Sequence, residues 1–382
     1  MVSSVRLVIP RRAAVFVASL LVLVATTLAA TTLVGAAPQR ANGGNGTIYI
    51  AGYDDAIHIL DEATMEEVGK IVTTAGSPQD LLLSHDRRRF YTLSIDFERI
   101  EVFDIETRQS LAVHGFSADG ARVRIWGIAP HPDDRMLMLL TSTDTKKVDR
   151  WEISEPIIRQ YDMEAREFVR DFPWPDGQVL ERANFMFSPD GKLLYFFARD
   201  VLVYDFESFE EVDRWEISTP FETGMGRLRL SFNPSLYEEE GYFTGLFNTT
   251  DPVNNRRMMG MARINLPEKS LEFYTLGPST GMRSFALAPD RTKAYGLRSQ
   301  IGNYEIWTFD LENRRVADRR TFPGRPRMGL TVSSNGELLY IHTAGNTIDI
   351  YAADSLDFVR TVELDADMLA FVVLPAGAAR TP

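Results

Sequence analysis

From about residue 47 onward, apolar and polar positions alternate with a period of two, and two short patterns recur in turn. The first is an apolar strand, a turn built on Pro-Asp or Asn-Gly, and a second apolar strand. Its clearest copy is Phe185-Met-Phe-Ser-Pro-Asp-Gly-Lys-Leu-Leu-Tyr-Phe-Phe197, with related copies at 81–86, 128–133, 230–235, 285–290 and 330–336. Asp-Gly and Asn-Gly supply the backbone conformations that tight hairpin turns require. The second pattern is a strand ending in an apolar residue and, in most copies, Asp. It begins at Ile57, Ile100, Ile158, Val201, Met261, Ile306 and Ile348, at intervals of 42 to 60 residues.

Alternation, β-branched enrichment and punctuating turns predict strands throughout, and no segment past residue 46 sustains a helical stripe for three turns. Four strands per repeat is the pattern of propeller blades, because a twisted sheet must bury both faces against its neighbours. The expected fold is all-β, a seven-bladed β-propeller. The first pattern has six complete copies against seven of the second. Leu369-Ala-Phe-Val-Val-Leu-Pro375 supplies the missing inner strand and completes a blade whose outer strands come from 47–71. Such a shared blade closes the ring over 47–375, with a linker at 38–46 and a tail at 376–382. The rival is a seven-unit solenoid, whose free ends would leave unpaired strand edges.

The N-terminus reads differently. Arg6, Arg11 and Arg12 precede an uncharged apolar stretch, and Gly35, Ala36 and Ala37 offer small residues for cleavage, so 1–37 is expected to be an export signal. Residues 13–34 are also long enough to span a bilayer as an uncleaved anchor. Either way the domain is expected in the periplasm or outside the cell. Loss of 1–37 removes three arginines and no acid, so the formal charge moves from −12 to −15. Such a surface repels phosphate backbones, which argues against nucleic acid as a partner.

Cysteine is absent, which excludes iron–sulfur clusters, CxxCH haem attachment and cysteine lipidation on this chain. The five histidines show no metal-ligand spacing. The acids Asp61, Asp104, Asp162, Asp205 and Asp310 recur at one repeat position, as turn-capping residues would. No GxSxG, HExxH, P-loop or dinucleotide fingerprint occurs. The sequence therefore points to no catalytic, cofactor-binding or metal-ligating residue. Two of the seven repeats are long because insertions at 143–156 and 248–260 separate their second and third strands. In a blade these connections emerge on one face, together with the link at 171–184. Loops of this length cost little entropy and are commonly retained for recognition. Trp, Tyr, Met and Arg are favoured in interfaces, which makes Trp151, Trp174, Met225, Arg227, Phe247, Met258 and Met259 the candidate contact residues. Each of them also suits a packing role under its own loop.

The repeats resemble bacterial exported propellers of the YVTN type. A closer resemblance is carried by Trp126-Gly-Ile-Ala-Pro-His-Pro-Asp-Asp134 and by Val148-Asp-Arg-Trp-Glu-Ile-Ser-Glu-Pro-Ile-Ile-Arg-Gln-Tyr-Asp162. It continues through Gly260-Met-Ala-Arg-Ile-Asn-Leu266, 285–295 and 330–336. These segments are similar to the β subunit of quinohemoprotein amine dehydrogenase. The resemblance implies a periplasmic heterotrimer that oxidises primary amines. In it a small γ subunit carries cysteine tryptophylquinone, a dihaem α subunit carries haem c, and the propeller holds the γ subunit without a cofactor of its own. It transfers no catalytic residue to this chain. The alternative readings are an exported protein-binding or cell-surface module, and a hydrolase or lyase working in the central channel.

Overall fold

Seven antiparallel sheets follow one another along the described residues, which in this computed structural model are 42–379 apart from 221, 222, 233, 343 and 344. The expected signal or anchor at 1–37 lies outside them. Blade 1 orders its strands, from inside out, as Met368–Leu374, Thr47–Gly52, Ala56–Asp61 and Glu67–Val72. Blades 2 to 7 occupy 82–115, 121–172, 184–215, 229–278, 284–324 and 329–363. Each is a four-stranded meander, and blade 3 carries a fifth strand, Trp151–Ile153. The fold is the seven-bladed propeller, and the chain's last strand closes it. Ile50 stands opposite Phe371, and Thr47 opposite Leu374.

The core lies in the seams between blades. Tyr49, Ile59, Phe90 and Phe103 join blades 1 and 2; Tyr195, Trp215, Phe243 and Ile264 join blades 4 and 5; Tyr295, Ile306, Leu330 and Leu339 join blades 6 and 7. One second-strand position recurs in every seam. It is paired to the residue two before the end of the third strand, and it holds Tyr49, Tyr91, Tyr195, Tyr295 and Tyr340 in five blades. Met138 occupies it in blade 3 and Thr244 in blade 5. All five tyrosines are buried and reach toward the following blade. The Tyr91 hydroxyl donates to Asp134 Oδ1 at 3.0 Å, and the Tyr49 ring meets Phe90 edge-on at 4.9 Å.

The seam between blades 7 and 1 is held by Glu62, a buried carboxylate. It accepts hydrogen bonds from the Gly46 amide, the Ser334 amide and hydroxyl, and the Tyr340 hydroxyl. Phe371 stacks on His342 at 4.3 Å in the same seam. Burying a carboxylate is tolerable only when its lone pairs are satisfied in this way.

The recurrent acids cap turns. Asp61, Asp104 and Asp205 each accept the amide and hydroxyl of Thr64, Thr107 and Ser208 respectively, and Asp310 accepts from Asn313. The fourth residue beyond the end of each third strand takes a positive φ in all seven blades, from Met65 at 63° to Leu356 at 54°. None of the seven is glycine, so the hairpin register, joined by a side-chain cap in every blade but the seventh, where Ala352 takes the capping position, holds this backbone against its intrinsic cost.

Removing 366–382 takes the innermost strand from blade 1. We expect this truncation to lower the unfolding midpoint by more than about 10 °C or to abolish a cooperative transition, since Thr47–Gly52 loses its inner partner and an opened ring uncovers the packed faces of two blades. A midpoint within 2–3 °C of the full chain would contradict closure.

His131 lies between blades 3 and 4, with Nε2 3.0 Å from the Gly191 carbonyl and Nδ1 2.9 Å from Asp133 Oδ1. Burial opposes its charge, but these bonds and the Asp133 carboxylate outweigh it and raise its pKa above 6.5. Burial likewise opposes ionisation of Asp133, yet His131 and two backbone amides hold it down at about 2. The His131 contribution is therefore full below about pH 6.5 and is lost as pH rises through its folded value. The Asp133 contribution is full above about pH 4 and is lost toward pH 2. We expect His131→Gln to cost more stability at pH 5.5 than at pH 8.5 in urea unfolding. Equal costs at the two pH values would refute the charged pairing.

Candidate functional site

Because consecutive strands are antiparallel, second-to-third strand connections and interblade links emerge on one face, and the capped turns on the other. The first face carries the two insertions. In blade 3 the insertion does not form a loop. The first strand lengthens to Ala121–Pro130, the second to Met136–Lys146, and Trp151–Ile153 pairs back on the latter. The result is a three-stranded flap standing above the blade. Trp151 sits opposite Lys146 and Ile153 opposite Asp144, which itself pairs with Arg122. Those residues share one side of the flap, and the Arg122 guanidinium lies 5.6 Å from the Trp151 ring centroid. Trp151 is 48% exposed, Ile153 is 72% exposed, and Val148 at the tip is fully exposed. The flap is fastened at its base, where Arg124 Nε donates to Asp144 Oδ2 at 2.9 Å and Trp126 Nε1 donates to Ser142 Oγ at 2.8 Å.

The link after blade 3 is tied to this flap. Trp174 Nε1 donates to the Pro156 carbonyl at 2.7 Å, and a 3₁₀ turn follows at Pro175–Gly177. Arg214 makes a two-point bond to Asp176, at 3.0 and 2.7 Å, which keeps that carboxyl below its ordinary range. Between the link and blade 4 lies a polar cleft of about 330 Å³ that reaches Arg199, Asp200 and Glu216.

In blade 5 the insertion lengthens the second and third strands into a hairpin of two ten-residue strands, Tyr242–Asp251 paired with Arg256–Asn265. Met225 and Met258 are half-buried and line a cleft of about 190 Å³ with Thr249 and Thr250, while Arg227 is exposed. Phe247 and Met259 have another role. Both are buried, Phe247 within blade 5 and Met259 in the seam with blade 6, so they offer no surface to a partner. Gly260 stands opposite Phe247, and a Cβ there would fall 2.3 Å from the ring, so this glycine makes room for the aromatic. Trp174 is half-buried and mainly a packing residue against Phe196. Of the seven candidates, the structure leaves Trp151 and Arg227 well exposed. Val148 and Ile153, exposed beside Trp151, and Arg122 against its ring are not among the sequence candidates, although alternation through 151–153 places Ile153 beside Trp151.

Among the described residues, no group of three or more His, Asp or Glu is placed to hold a metal, and no helix is long and apolar enough to cross a membrane. No family model matches the sequence. No curated protein matches it either. Solved structures do match, at the level of fold. A functionally unknown protein from Desulfotomaculum acetoxidans DSM 771 aligns with a TM-score of 0.54 at 13% identity, over 87% of this chain and 99% of its own. Kuenenia stuttgartiensis hydrazine synthase gives 0.50 at 14% identity, over 88% of this chain and 99% of that one. Apo AztD from Citrobacter koseri gives 0.51 at 9%, over 88% and 99%.

Packing and exposure separate the candidates experimentally. Phe247→Ala is expected to destabilise the domain by about 3–5 kcal/mol and Met259→Ala by about 2–5 kcal/mol, as cavity-forming changes do. Trp151→Ala is expected to change stability by less than about 1 kcal/mol, which urea titration of the three variants resolves.

Proposed function

We propose that the chain is a noncatalytic or active-site-completing propeller subunit of a periplasmic quinohemoprotein amine dehydrogenase complex. The observation that carries this reading is the blade 3 flap, an exposed apolar strip of Val148, Trp151 and Ile153 on a rigid, polar-rimmed support. It falls within the segment whose sequence resembles the β subunit of that enzyme. Aromatic anchors on preorganised backbone are the usual centres of protein interfaces. The two clefts beside it, and the link pinned by Trp174 and Arg214, extend the same face toward blades 4 and 5.

In this reading the oxidising groups, cysteine tryptophylquinone and haem c, reside on the small γ and dihaem α partners, and they supply the two-electron chemistry of oxidative deamination. The present chain, which has no cysteine to bind either group covalently, supplies orientation and solvent exclusion. Its acidic surface suits a partner with a basic docking face.

Native co-purification from the source organism, with mass spectrometry and a haem absorption scan of the captured partners, tests the proposal. A dihaem protein and a short cysteine-rich protein should co-elute with the wild type. Trp151→Ala should weaken their retention about 30-fold, the effect of losing an aromatic anchor worth about 2 kcal/mol. Capture of partners without haem would overturn the amine dehydrogenase reading in favour of a general protein-binding or cell-surface propeller. Unchanged retention by the variant would remove the flap from the interface.

A further inference from the structure

A cavity of about 440 Å³ opens on the opposite face, in the seam between blades 5 and 6. Its origin is a departure from the repeat. At the second-strand position where five blades carry the seam-filling tyrosine, blade 5 has Thr244. The neighbouring side chains on that side of the sheet follow from register. Thr244, Arg263 and Glu272 form one row, and Met261 and Tyr274 form part of the next. Blade 6 faces them with Leu287, Leu311 and the turn at 290–292.

The space is polar where the other seams are filled. Three buried polar atoms on its lining have no hydrogen-bond partner among the described residues: Glu238 Oε2, Thr244 Oγ1 and the Tyr274 hydroxyl. Glu238 is 8% exposed and Thr244 4%, so surface exposure does not explain them. Leaving such atoms unsatisfied carries a desolvation cost that a ligand's donors would relieve. The lining holds five carboxylates against three guanidinium groups. The arginines are already engaged: Arg263 contacts Glu239 at 3.2 Å and Glu238 Oε1 at 3.4 Å, which leaves Glu238 Oε2 without a donor, Arg291 contacts Glu239 at 3.0 Å, and Arg314 lies 3.8 Å from Glu272. What is left over is acceptor capacity and negative charge above an apolar floor of Met261, Leu287 and Leu311.

We propose that this seam binds a small organic cation with several N–H donors and a short apolar body, such as an alkylammonium or alkylguanidinium group. Its donors satisfy Glu238 Oε2 and the two hydroxyls, and its stem lies on the apolar floor. A divalent metal fits less well, because no group of three ligating side chains is assembled there. The site is independent of the flap, which lies on the other face.

Calorimetry on the full chain tests it, with 1,4-diaminobutane as probe, tetramethylammonium as a cation lacking N–H groups, and glycerol as a neutral polyol. We expect saturable binding of the diamine alone. Thr244→Tyr, which restores the residue of the other blades, should weaken it at least tenfold while leaving the melting midpoint unchanged or higher. Glu238→Gln should weaken it at least tenfold without filling the space, and keeps the test valid if the tyrosine variant misfolds. Trp151→Ala should bind the diamine like the wild type. Absence of diamine binding, binding unaffected by both Thr244→Tyr and Glu238→Gln, or equal binding of glycerol or tetramethylammonium would overturn the proposal.

Discussion

The antiparallel pairing of Met368–Leu374 with Thr47–Gly52 holds the rest of the molecule in place. A blade is stable because both of its faces are covered, and in a ring each cover is also covered in turn. Among the described residues, blade 1 alone is assembled from two distant parts of the chain, so it is there that the ring can open. The buried Glu62 carboxylate reinforces that place. It collects donors from the entering segment at Gly46 and from blade 7 at Ser334 and Tyr340. A charge bound this way contributes little through Coulomb attraction alone, but it penalises any arrangement in which one of its donors is missing.

The repeated tyrosine performs the same service at the other seams. Its ring fills the gap to the next blade, and the hydroxyls of Tyr91 and Tyr340 also reach a carboxylate across the seam, Asp134 and Glu62 respectively. The repeat therefore defines what an ordinary seam looks like, and the exceptions become informative. Met138 replaces the ring with another bulky apolar side chain. Thr244 does not, and the volume it leaves is lined by groups that water or a ligand must satisfy.

The two faces differ for a mechanical reason. Turns that cap with Asp are short and uniform, because register and a left-handed residue fix them. Connections on the other face bear no such constraint, and there the chain has extended strands instead of adding loose loops. An extended hairpin keeps its backbone hydrogen bonds, so the apolar residues it carries outward are held in place rather than collapsing onto the blade. That rigidity distinguishes Trp151 and Ile153 from an ordinary exposed apolar side chain.

The number of blades, their order and the closure by 369–375 were all readable from the chain, because period-two alternation and turn chemistry are local properties that each repeat states independently. The turn-capping of Asp61, Asp104 and Asp205 was legible for the same reason. Exposure was not. Phe247 and Met259 carry the composition of an interface, yet register places them on opposite faces of blade 5 and both are covered, Met259 by blade 6, while the glycine opposite Phe247 makes room for its ring. Nor does the local sequence around Thr244 signal a cavity, since the space exists only where blade 5 meets blade 6. Residue type and spacing fix what a segment is, whereas the apposition of two sheets decides which side chains remain uncovered, and that is a property of neither sheet alone.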